Sequence, residues 1–122
     1  MQNASPGVLA RPAITLAGLL FAVFMFAHPE NNATGAQSPA WLPVHIAWFL
    51  SYLLLLFGFP AVHGLAAASR SWLGLTGFWL AWVGVALSLP LAAWDAFIVP
   101  YLAVHVDGAV EQMEELSSDP PV

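Results

Sequence analysis

From Trp41 to His63 the chain reads WLPVHIAWFLSYLLLLFGFPAVH, and no residue in that run carries a fixed charge. Residues 43–63, rising about 1.5 Å per residue as a helix, span about 31 Å, which matches the hydrocarbon core of a bilayer. A water-soluble domain of this length draws about a quarter of its residues from Asp, Glu, Lys and Arg to coat its surface. Here the share is 7%, against 60% hydrophobic residues, so the run reads as a membrane span.

Two further stretches behave in the same way. Ala13 to Ala27 is apolar apart from Thr15, and with its flanks it gives a first span over about 12–28. Pro43 and Pro60 bracket the second span, about 43–63. Pro60 cannot donate to the Leu56 carbonyl, which predicts a kink or stop there. The third span covers about 72–94, with Ser71 as N-cap and Pro90 as another kink. Trp41, Trp72 and Trp94 fall at span ends, where interfacial belts place tryptophan. The expected fold class is therefore all-α, an integral membrane helical bundle of three transmembrane helices forming one domain. A secretory signal peptide is the rival reading of the first apolar stretch, with cleavage near Thr34-Gly35-Ala36. Two later spans make such cleavage unnecessary for insertion.

The connections follow from turn chemistry. Residues 29–42, rich in Asn, Gly, Ser and Pro, form one loop, and residues 64–71 form the return loop. Residues 95–106 read as a short interfacial helix, a re-entrant piece or the start of an incomplete fourth span, since Pro100 opposes an uninterrupted crossing. An acidic tail, 107–122, includes a short amphipathic helix with Ala109, Val110, Met113 and Leu116 on one side. Arg11 and Arg70 are the only bases, and both fall on one side of a three-span chain. The positive-inside rule makes that side cytoplasmic, with the 29–42 loop and the acidic tail outside.

Few classes of chemistry survive this composition. No cysteine is present, which excludes disulfides, thiolate metal sites and cysteine nucleophiles. Two bases leave no footprint for nucleic acid. There is no Gly-x-Ser-x-Gly elbow and no phosphate-binding Gly-rich loop, and no span carries an acid or base at its centre. Enzymatic activity is not expected. Neither is a cofactor, with two alternatives. A haem could be held by His28 and His45 at the outer side, and a divalent metal by His28, His45 and Asp95. His63, five helical turns from His45, has no second histidine near it and reads as interfacial. Glu30, His105 and Asp107 complete a set of polar residues expected on the outer side.

Helix packing has its own signal. Gly77, Ala81, Gly84, Ser88 and Ala92 recur at steps of four, three, four and four on the third span. That small-residue face lets helix backbones approach closely in lipid. Three such helices leave much surface for lipid, for self-association or for other membrane subunits. The expectation is a structural or accessory subunit in a larger membrane assembly, and the alternative is a haem- or metal-binding redox module.

His28-Pro29 closing the first span, Trp41-x-x-x-His45 opening the second, and a Gly-rich third span running into Asp95-Ala96-Phe97 and Pro100 resemble a group of bacterial multi-span membrane proteins of unknown function. The resemblance covers most of residues 12–103. It implies a bacterial plasma membrane and no established activity, and the chain departs from it by ending after the acidic segment, where such proteins usually continue with further spans. The chain then reads as a fragment, or as a short version that borrows packing partners.

Overall fold

A computed structural model describes residues 6–65 and 71–118. Arg70, the Ser5 cap and the end of the acidic tail lie outside these residues. The described chain is helical, with α1 at Pro6–Ala27, α2 at Ala33–Ala36, α3 at Trp41–Leu65 and α4 at Trp72–Ala93. A π-helical turn, Trp94–Ile98, leads from α4 into α5 at Val99–His105, and α6 follows at Ala109–Ser118. Among the described residues there is no strand. Three stretches are long and apolar enough to cross a membrane, Ala10–Ala27, Trp41–Gly64 and Trp72–His105.

The three long helices form an open layer. α3 lies in the middle, packed on α1 along one side and on α4 along the other, while α1 and α4 barely meet. Close approach of α1 and α3 depends on small side chains. Ala10, Ala17, Ala47 and Ser51 are buried there, and Gly58 faces Ile14. In lipid such contacts carry the association, because burying a large apolar side chain against another helix gains little over burying it in acyl chains. The Ser51 Oγ and Trp48 Nε1 atoms are buried with no hydrogen-bond partner among the described residues. At Ser51 the small volume, rather than the hydroxyl, is what the interface uses.

Prolines decide where the layer is tied together. Pro60 does not stop α3, which runs on to Leu65. The carbonyl it orphans, that of Leu56, accepts a hydrogen bond from Trp82 Nε1 on α4 at 3.1 Å. The same logic operates at the π turn. The Val99 N–H donates to the Trp94 carbonyl, five residues back. The Asp95 carbonyl would then need the N–H of residue 100, which is proline and has none. Trp41 Nε1 supplies the missing donor at 2.6 Å. At the end of α5 the Ala103 carbonyl accepts from Gln37 Nε2 at 3.0 Å. The two indole ties satisfy part-buried backbone groups of apolar helices, where an orphan in a bilayer costs several kcal/mol; the Gln37 tie is exposed.

Residues 95–106 therefore continue the third long helix, through a π turn that absorbs Pro100. The chain leaves α5 at Val106 in an extended conformation and turns at Gly108, whose φ of 73° favours glycine. α6 then folds back so that Val110 and Met113 join Ala36, Trp41 and Val99 in a small cluster over the α2 end of the layer. Leu116, expected on the same side, is 70% exposed instead. Trp72 is exposed at the start of its helical run, as an interfacial residue would be, but Trp94, expected at a span end, lies inside the run Trp72–His105, and Trp41 is only 4% exposed. It belongs to the interior of this end.

Candidate functional site

The buried polar centre of the molecule lies where α1 ends and α3 begins. His28 is the first residue past α1, and His45 lies one turn into α3. Their Nε2 atoms stand 3.2 Å apart. His45 is 1% exposed and His28 is half-buried.

Backbone carbonyls orient both rings. His45 Nδ1 lies 2.8 Å from the Trp41 carbonyl, one helical turn back. His28 Nδ1 contacts the Pro29 carbonyl. A carbonyl oxygen only accepts, so each Nδ1 carries its hydrogen and donates. In the neutral tautomer that follows, each Nε2 keeps a bare lone pair, and the two lone pairs face one another. In that tautomer the contact favours an electrophile between the two lone pairs.

Aromatic rings hold this arrangement on the remaining sides. Trp41 stacks on His45 with centroids 4.2 Å apart and planes at 23°. Phe24 meets His28 edge-on at 4.9 Å and His45 at 5.6 Å, and stacks on Trp48 at 4.7 Å. Trp41 also binds the Asp95 carbonyl, so one side chain links the histidine pair to the π turn. The Asp95 carboxylate is half-buried and within electrostatic reach of His28.

The residues that the sequence assigned to this side separate into two sets. His28 and His45 converge, with Asp95 nearby. Glu30 instead accepts from Asn32 Nδ2 at 2.9 Å on the surface. His105 stacks on Tyr101 and bonds its own helix, with Nδ1 2.9 Å from the Tyr101 carbonyl. Asp107 is exposed. No group of three or more His, Asp or Glu side chains that would hold a metal occurs among the described residues. At the opposite end His63 stacks on Phe78, centroids 4.3 Å apart, beside an open groove lined by Phe59, Val62 and Gly74.

The spacing bears on the haem alternative. Two axial ligands stand on opposite sides of an iron, about 4 Å apart for metal–nitrogen bonds of about 2.0 Å. At 3.2 Å, with Trp41 and Phe24 packed against the rings, His28 and His45 do not bracket a haem.

The packing stripe also has a definite location. Ala92 is buried and Ser88 half-buried, while Gly77, Ala81 and Gly84 are exposed. A Cβ added at Gly77 or Gly84 would meet no neighbouring atom within 4 Å. Within the chain, α4 instead meets α3 through Phe78 and Trp82. Sequence reasoning placed Trp41 in an interfacial belt and gave Trp82 and Gly58 no role. The signal for Trp82 was present in Pro60, which orphans the Leu56 carbonyl by rule; Pro100 marks a missing donor, and only the π turn assigns it to Asp95. For Gly58 it was the small residues of α3 itself, Ala47, Ser51 and Gly58, which share a face.

Compared with known proteins, the chain matches no protein family, no curated protein and no solved structure.

Proposed function

We propose that this chain is a small multi-pass subunit that packs within a larger assembly of a bacterial plasma membrane, with its N-terminus cytoplasmic and its acidic tail outside. The observation that carries the reading is the open layer. α1 and α4 flank α3 without closing on each other, and on the small-residue face of α4 Gly77 and Gly84 look onto open space, while Ala81 borders the groove between α3 and α4. Exposed leucines alone would argue only for lipid, since acyl chains are as apolar as Leu. Exposed glycines in a membrane helix argue differently. They weaken the helix relative to alanine by up to about 1 kcal/mol and gain nothing from lipid, so their use is to let another backbone approach. The orientation rests on arginine. Arg11 is exposed near the start of α1, at the end of the layer away from His28, where the positive-inside rule puts the cytoplasm.

The test is substitution on the uncovered face. Gly84→Leu fills open space, so the chain should keep its helicity and its α3–α4 packing. Extracted in mild detergent, the native chain should run as a complex well above its own mass of 13.0 kDa, and Gly84→Leu should run as the single chain. A native chain already alone in mild detergent, or a complex indifferent to leucine at 84, would remove the reading.

A further inference from the structure

We propose that His28 and His45 form a two-nitrogen site for a borderline divalent transition metal of the zinc and copper class, open on its remaining coordination positions. The argument begins with the spacing. Two nitrogens bound to one ion at about 2.0–2.1 Å stand about 2.8–3.4 Å apart for bond angles between square and tetrahedral. The two Nε2 atoms, at 3.2 Å, fall inside that range.

The second support is the tautomer. Metal-ligating histidines almost always donate the other ring N–H to a carbonyl or carboxylate, which fixes the lone pair toward the ion. Both histidines here do so, His45 to the Trp41 carbonyl and His28 to the Pro29 carbonyl. The other histidines do not build such a pair. His105 is exposed and bonds within its own turn, and His63 is stacked on Phe78 with no second imidazole beside it.

The third is preorganisation. Trp41, Phe24 and Trp48 fix the ring planes, so little side-chain freedom is lost when an ion binds. His28 lies past the end of α1 and is half-buried, which gives an ion a way in that the fully buried His45 does not. Imidazole pairs suit zinc, copper and nickel rather than calcium or magnesium, which take oxygen ligands. With only two protein ligands the site is exchangeable, and water or a small anion fills the open positions.

The experiment uses the full chain without a histidine tag, in detergent micelles. Zn²⁺ alone is measured by equilibrium dialysis, and Cu²⁺ alone by quenching of tryptophan fluorescence, to which Trp41 on His45 should be most sensitive. The expected result is saturable binding of at most one ion per chain. It should weaken at least tenfold in His28→Gln and in His45→Gln and be unchanged in His63→Gln and His105→Gln. His28→Gln serves where His45→Gln disturbs folding, because His28 is outside the helix. Three results would overturn the proposal: no saturable uptake of either ion, as expected if a proton alone occupies the pair; uptake that survives His28→Gln in a chain of native helicity; or uptake lost equally in His63→Gln.

Discussion

Trp41→Phe should unfold at a lower denaturing strength than the native chain, by about 1–2 kcal/mol from the lost hydrogen bond plus the loss of the indole's second ring from a buried cluster. The indole N–H is the donor that reaches the Asp95 carbonyl at 2.6 Å. That carbonyl has no alternative within its own helix. Val99, the ordinary partner, donates to Trp94, and Pro100 has no N–H to give. Trp41→Ala should lose more, about 3–5 kcal/mol, because the ring also fills the cluster with Ala36, Val99 and Val110 and stacks on His45. Unfolding by sodium dodecyl sulfate in mixed micelles, followed by far-ultraviolet circular dichroism, measures both. A Trp41→Phe chain as stable as the native one would mean that the Asp95 carbonyl finds another donor.

Gly58→Leu should have a comparable effect at the other contact, separating α1 from α3. Even a single Cβ at residue 58 would sit 2.8 Å from Ile14 Cγ1 and 3.4 Å from its Cδ1, with the Ala10 carbonyl oxygen next at 3.9 Å. A methyl group can be met by a shift of Ile14, but a leucine must push the α1 backbone. Overpacking of this kind costs about 1–3 kcal/mol. Two comparisons isolate the cause. Gly18→Leu, on α1 where no neighbouring atom lies within 4 Å, should be close to neutral. The mild destabilisation expected of Gly58→Ala should be relieved by Ile14→Ala in the same chain, since residues in contact couple. Equal stability losses at 58 and 18 in the same unfolding assay would mean that the close approach is not what matters.

How far the sequence foretold this arrangement can be judged from individual residues. The three spans are set by length and apolarity, which composition displays directly, and the Ser71 cap is met by the Gly74 N–H at 3.0 Å. The meeting of His28 with His45 follows from topology alone, because a hairpin of two spans brings the end of one beside the start of the next. The course of residues 95–106 was not legible. Pro100 marks a missing donor but does not say whether the helix breaks or borrows one. Only the arrival of Trp41, far away in the chain, decides that. The role of the α4 stripe was half-legible. Spacing shows that Gly77, Ala81 and Gly84 share a face, and only the position of α3 shows that this face is left uncovered at Gly77 and Gly84.

That uncovered face is the centre of the account, and its surroundings in the native membrane can be measured without disturbing it. A diazirine-bearing aliphatic residue in place of Leu80 or Leu87, exposed at 71% and 73% on the flank of the stripe, reports what lies against α4 on irradiation. The same probe at Leu19, 61% exposed on α1, serves as the comparison. The account predicts one discrete protein adduct from positions 80 and 87, abolished by adding Gly84→Leu, and lipid adducts from position 19. Lipid adducts alone from 80 and 87 would contradict it.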